Sequence, residues 1–155
     1  MIAFSNIHNV AAPGLLEKLT GLYRALMEGK ADYEQMGADF SDNQLRRTIL
    51  GLAQESNQYA AEVSSQIHCL AGDFREPVMK YNLIDADGPG NSDEERISKV
   101  CDISEHKLLR FYKELLDEPG SFDLFKGLRR MIQYQMEHIS GAISQLRLLQ
   151  TSLHK

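Results

Sequence analysis

The stretch LRRTILGLAQESNQYAAEVSSQIHCL, Leu45 to Leu70, decides the fold class. Its apolar residues Leu45, Ile49, Leu52, Tyr59, Val63, Ile67 and Leu70 recur every three or four positions. That spacing places them on one face of an α-helix, not on one face of a strand. Ser41 or Asp42 just before the stretch is a natural N-cap, and Gly72 just after it a natural stop. A helix is expected over about 42–71, far longer than the ~12-residue average, and helices of such length make bundles.

Upstream, the same spacing runs through Leu15, Leu19, Leu22, Leu26, Tyr33 and Phe40. Residues 1–12 read as a loose lead-in and Pro13 suits a first turn, so a helix is expected over about 13–39. Downstream, Ile97, Cys101, Leu108, Tyr112 and Leu115 mark a third helix over about 93–117, capped by Ser92 or Asp93. Leu124, Leu128, Met131, Ile139, Ala142, Leu146 and Leu149 mark a fourth over about 121–152. The breaks Phe40–Gln44 and Asp117–Ser121 are short and predict two antiparallel hairpins. Between the hairpins lies GDFREPVMKYNLIDADGPGNSD, Gly72–Asp93. Extended, about 20 residues reach about 66 Å, more than the about 45 Å length of a 30-residue helix. The reading is an all-α four-helix bundle, one domain over 1–155, with a crossover loop over about 72–93.

Composition narrows the function classes. The 155 residues are 43% apolar and 25% charged, as expected for one soluble domain. A net charge of -5 and a pI near 5.5 supply no basic footprint, so nucleic acid is not an expected partner. No run approaches the roughly 18 apolar residues of a membrane span. The opening MIAFSNIHNVAAPG lacks the basic start of a signal peptide, and a cytoplasmic location is expected. Cys69 and Cys101 have no zinc-ligand spacing and are expected to be buried thiols. There is no phosphate loop, dinucleotide fingerprint or nucleophile–base pair.

Polar residues interrupt each stripe near its middle. Lys30 follows Leu26; Glu55 and Ser56 follow Leu52, with Gln58 one turn on. Ser104 and Glu105 lie between Cys101 and Leu108, and Gln135 and His138 between Met131 and Ala142. Counted outward from the two short turns, Lys30 and Glu55, and likewise Glu105 and Gln135, fall within about 5 Å of the same height. The economical reading is one central polar layer of Lys30, Glu55, Gln58, Glu105, Gln135 and His138. Tyr23, Tyr33, Tyr59 and Tyr112 are expected in the core with hydroxyls on that layer or at the surface. Buried polar groups cost several kcal/mol unless paired, so a metal, water or the layer itself must satisfy it. Alternatively, Lys30 carries its ammonium out to solvent along its apolar stem.

The pieces MEGKADYEQMGADF, LAQESNQYAAEVSSQI, SEHKLLRFYKELL and MEHISGAISQL carry a resemblance. Over about residues 13–152 the chain resembles the ferritin-like superfamily. More closely, it resembles bacterial ferritin-like proteins known only as a domain of unknown function. A di-iron bundle of that kind uses one Glu from each of two helices and Glu-x-x-His from each of the others. The resemblance implies that Glu55, Glu105 and His138 are of ligand type. Gln58 stands where a His belongs, Gln135 where a Glu belongs, and Lys30 where the first helix supplies a carboxylate. Amide and ammonium groups are poor iron ligands. The expectation is a degenerate, metal-free site in which Lys30 neutralises Glu55 and Glu105, with no cofactor and no catalytic residue. The role expected is structural or interactive, as a homodimer or other homo-oligomer. The alternative is an iron- or manganese-binding oxidase or storage protein with the atypical ligands Glu55, Glu105 and His138.

Overall fold

The computed structural model describes the backbone of residues 2–72, 92–117 and 125–154, and the side chains within 14–72, 92–117 and 125–153. The described residues form α1 (Ile2–Ala38), α2 (Asn43–Ala71), α3 (Asp93–Ile103), α4 (Arg110–Asp117) and α5 (Lys126–His154), with no strand among them. A π-helical segment, Ser104–Leu109, joins α3 to α4 without a break, so these three pieces make one rod. The architecture is therefore an all-α bundle of four rods. No helix of the described residues is long and apolar enough to cross a membrane.

The caps fall where their chemistry places them. The Asp42 carboxylate accepts from the Leu45 N–H at 2.9 Å, and Ser92 Oγ accepts from the Glu95 N–H at 3.1 Å. Gly72 ends α2 at φ 80, a left-handed conformation that a side chain disfavours, and its N–H returns to the His68 carbonyl. Two boundaries differ from expectation. Helix α1 begins at Ile2 instead of near residue 13: 2–12 holds no proline or glycine to interrupt it, and Pro13 is accommodated within it. Helix α5 begins at Lys126 instead of near 121. The crossover loop and the second short turn fall largely in 73–91 and 118–124, outside the described residues.

Named contacts give the direction of every rod. Along α1 and the third rod, Ser41 meets Asp93, Tyr33 meets Ser104, and Gly21 faces Phe111. Residue numbers rise on one rod as they fall on the other, so the two are antiparallel. The third rod and α5 are antiparallel by the pairs Ser98–Gln150, Glu105–Arg147 and Tyr112–Gln135. Helices α2 and α5 are antiparallel by Glu55–His138 and Glu62–Gln135. The third rod thus starts beside the α1–α2 turn, whereas α2 ends at the opposite end of the bundle. The chain from 72 to 93 must cover that length.

Each rod contributes a buried stripe to one core: Leu19, Leu22 and Leu26; Ile49, Val63 and Ile67; Ile97, Cys101 and Leu115; Ile132, Ile139 and Leu146. On α5 the stripe runs through Ile132 and Ile143, with Met131 and Ala142 only partly buried and Leu149 exposed. Adjacent apolar residues at 131–132 and 142–143 let the sequence read one position off. The α1–α2 seam is the closest. A Cβ on Gly37 would stand 3.0 Å from Leu50 Cδ2, so the absent side chain sets that approach. Along α2–α5 few backbone positions come close, and long polar side chains span the seam.

Candidate functional site

Polar residues do gather in the middle of the bundle, but not the six expected. On α1 the buried stripe passes Leu22, Leu26, Gly29 and Tyr33, and Lys30 lies one position off it. One position is about 100° of helical rotation. Lys30 consequently points away and pairs with Glu34 at 3.4 Å, with side chains 36% and 51% exposed. Its ammonium does not neutralise Glu55 or Glu105, and the internal salt bridge expected from the resemblance is corrected here. Lys30 snorkels along its stem, as the competing reading held.

The same one-position offset moves three other members of the expected layer. On α2 the buried positions are Leu52, Ser56 and Tyr59, so Gln58 is exposed and Glu55 sits at the α2–α5 edge. On the third rod Ser104 is buried, while Glu105 turns to the seam with α5. There Arg147 binds Glu105 at 2.8 Å and lies 3.7 Å from Asp102. Glu105 is thus on a different seam from Glu55 and His138, and the alternative ligand set of Glu55, Glu105 and His138 is not assembled. Among the described residues no three His, Cys, Asp or Glu side chains gather where they could hold a metal ion. Cys69, expected to be buried, is exposed, while Cys101 is buried.

What occupies the middle is a set of matched donors and acceptors. Tyr112 and Gln135 are both fully buried. The Tyr112 hydroxyl donates to Gln135 Oε1 at 2.8 Å, and Gln135 Nε2 donates to Glu62 Oε1 at 2.9 Å. Gln58 Nε2 donates to the other Glu62 oxygen at 3.3 Å. One relay thereby ties the third rod, α5 and α2 together. On the α1 side, Tyr33 hydrogen-bonds Ser104. Ser104 Oγ spends its proton on the Val100 carbonyl at 2.8 Å, so the Tyr33 hydroxyl is the donor of that pair. Such a bond from Ser104 to the carbonyl four residues back perturbs a helix, and the π-helical segment begins at this residue.

The third group lies at the α2–α5 edge. The Tyr59 hydroxyl stands 2.6 Å from His138 Nδ1, Glu55 Oε2 stands 3.5 Å from the same nitrogen, and the Tyr134 ring stacks on the imidazole. Burial pushes the Tyr33 and Tyr59 hydroxyls up to about 12, and Tyr112 well above its ordinary value. Burial also pushes the Cys101 thiol up to about 11. These groups keep their protons at neutral pH. With those protons in place, Tyr33 donates to Ser104 and Tyr112 to Gln135.

Three of the four core tyrosines anticipated from spacing supply the hydroxyls of these groups. Glu62 and the buried Asp32 went unanticipated, because each lies beside an apolar stripe where sequence expects solvent. Comparison of the chain with protein-family models, curated proteins and solved structures gives no match.

Proposed function

We propose that this chain is a ferritin-like bundle whose middle is closed by its own hydrogen bonds, and that it serves as a structural or interaction protein. The observation that carries this reading is the relay Tyr112–Gln135–Glu62, which fills the place where such bundles gather metal-binding carboxylates. Gln135 is the residue that the resemblance sets at a Glu position. Here its amide oxygen accepts from Tyr112 and its nitrogen donates to Glu62, so both ends are engaged by protein partners. The four antiparallel seams and the crossover of the chain between residues 72 and 93 suit the ferritin-like arrangement. A second copy of the chain is the partner this reading favours, since most soluble oligomers are symmetric homo-oligomers.

Calorimetry with manganese, and anaerobically with ferrous iron, tests the closed middle. The expected result is no tight uptake by the protein freed of metal, and an unfolding temperature unmoved by a chelator. Stoichiometric tight uptake of either ion, abolished by Gln135→Ala, would replace this reading with that of a metal-binding oxidase or storage protein.

A further inference from the structure

Among the described residues, the exposed large apolar side chains all lie on α5: Tyr134, Leu148, Leu149 and Leu153. Tyr134, Gly141 and Leu148 are spaced seven residues apart, which returns each to within about 20° of the same face. That face points away from the core, which α5 meets through Ile132, Ile139 and Leu146. A Cβ on Gly141 would meet nothing within 4 Å. No neighbour in its own bundle therefore requires a glycine at this mid-helix position, where glycine is unfavourable. The Tyr134 ring lies stacked on the His138 imidazole, with 5.8 Å between centroids, so little side-chain freedom is left to lose when the pair is covered.

The charge pattern says what can cover it. The exposed positions from Tyr134 to Leu149 carry one formal charge, Glu137, although the chain is 25% charged with a net charge of -5. A surface that meets its own copy about a two-fold axis must be self-complementary. Two antiparallel copies of α5 crossing at Gly141 set Tyr134 of each opposite Leu148 of the other, since each stands seven residues from the centre. Glu137 then faces Ser144 and Gln145, whose hydroxyl and amide can donate to it. The two copies of Glu137 stand about 12 Å apart along the axis, beyond the roughly 8 Å over which exposed charges act at physiological salt. A parallel pair would set Glu137 directly against itself. At the crossing neither copy carries a side chain, so the two helices can approach closely.

We propose that a second copy of this chain docks antiparallel on the outward face of α5, with the two-fold axis at Gly141. This rests on the reading of a second copy as the partner, and it adds the face, the direction and the register. The contact is one helix wide, about 10 Å, and runs about 21 Å from Tyr134 to Leu148. That is at the small end of specific interfaces, so the dimer dissociates on dilution.

Sedimentation equilibrium of the full chain, at concentrations rising to about 1 mM, tests the proposal by charge exchange at the axis. Gly141→Glu alone and Gly141→Lys alone should each weaken self-association at least tenfold, because each sets like charges face to face. An equimolar mixture of the two should associate at least tenfold more tightly than either alone. Neither change should lower the unfolding temperature of the dilute protein, since the position is open. Gly141→Cys in a Cys69→Ser background is the second variant should the charged ones not fold; on oxidation it should cross-link faster than Gln133→Cys in the same background. An unsubstituted chain that stays monomeric throughout overturns both this proposal and the second copy as partner. A dimer indifferent to Gly141→Glu, a mixture no tighter than its parts, or equal cross-linking at 133 and 141 overturns this face alone and leaves the second copy to dock elsewhere.

Discussion

Two buried tyrosine hydroxyls, Tyr33 and Tyr112, look alike in sequence and differ in what depends on them. Removing Tyr33's hydroxyl leaves Ser104 still bonded to the Val100 carbonyl, so nothing buried is orphaned. Removing Tyr112's leaves Gln135 Oε1 without its donor in a place closed to water. A net hydrogen bond contributes about 0.5–1.5 kcal/mol, whereas an orphaned buried acceptor costs about 1–3 kcal/mol. Urea unfolding should therefore show Tyr33→Phe losing about 1 kcal/mol and Tyr112→Phe clearly more, up to about 3 kcal/mol. Equal losses would mean that the relay is not closed as described. The residue scale also explains the displaced layer. Gly29, Ser56 and Ser104 occupy the inward positions, whereas the layer was expected at their neighbours Lys30, Glu55 and Glu105. A charged neighbour attracts attention in a sequence, but 100° of rotation decides which of two adjacent residues faces the core.

Among the elements, the start of the third rod is held to the α1–α2 turn by one carboxylate. Asp93 Oδ1 accepts from the Ser41 N–H at 2.9 Å and from Arg96 at 3.1 Å, while Oδ2 accepts from the Asp42 N–H at 3.0 Å. Burial alone would raise this carboxyl, but the two backbone N–H groups and Arg96 outweigh it and hold it below its ordinary 3.8. A depressed folded value stabilises the protein above the unfolded value and loses that contribution as pH falls through the folded one. Asp93→Asn should accordingly cost about 1.5–3 kcal/mol at pH 7, the range for hydrogen bonds to a charged group. The difference from the unsubstituted protein should shrink below about pH 4 as Asp93 itself becomes protonated. Urea midpoints at pH 7 and at pH 3 read this out, and a difference that stays constant with pH would assign the contact to shape instead of charge. The contact also organises the topology. It places the N-terminus of α3 beside that of α2, which is what obliges the intervening chain to cover the length of the bundle.

The whole molecule leaves apolar surface at one end. Leu148, Leu149 and Leu153, in the last turns of α5, are 70%, 40% and 48% exposed. Exposed leucines within two turns of one helix offer apolar surface for association. If the chain self-associates as proposed, sedimentation velocity should show a dimer or larger species, and the double change Leu148→Glu with Leu153→Glu should shift it toward monomer without lowering the unfolding temperature. A species already monomeric at high protein concentration would remove the second copy as the partner.

Sequence by itself determined that four rods form, where α2 and α3 are capped, and that polar groups collect near the middle. Each of these follows from local chemistry: a 3.6-residue period, a side chain that can accept from the first turn's N–H groups, a glycine at positive φ. It also placed Gln135 and three of the tyrosines, because they lie on their stripes. Only the tertiary structure decided which polar groups meet. Lys30 turns to Glu34, Glu105 to Arg147, and Gln135 to Tyr112 and Glu62. Asp32 was illegible for the same reason. Nothing local marks it as buried, and its burial exists only because the third rod lies across α1. Helical phase is readable along one strand of text only to about one position, or about 100°; which of two adjacent residues faces inward, and which phases pair, depends on how the rods are rotated against each other, and that rotation is set by the packing of the entire core.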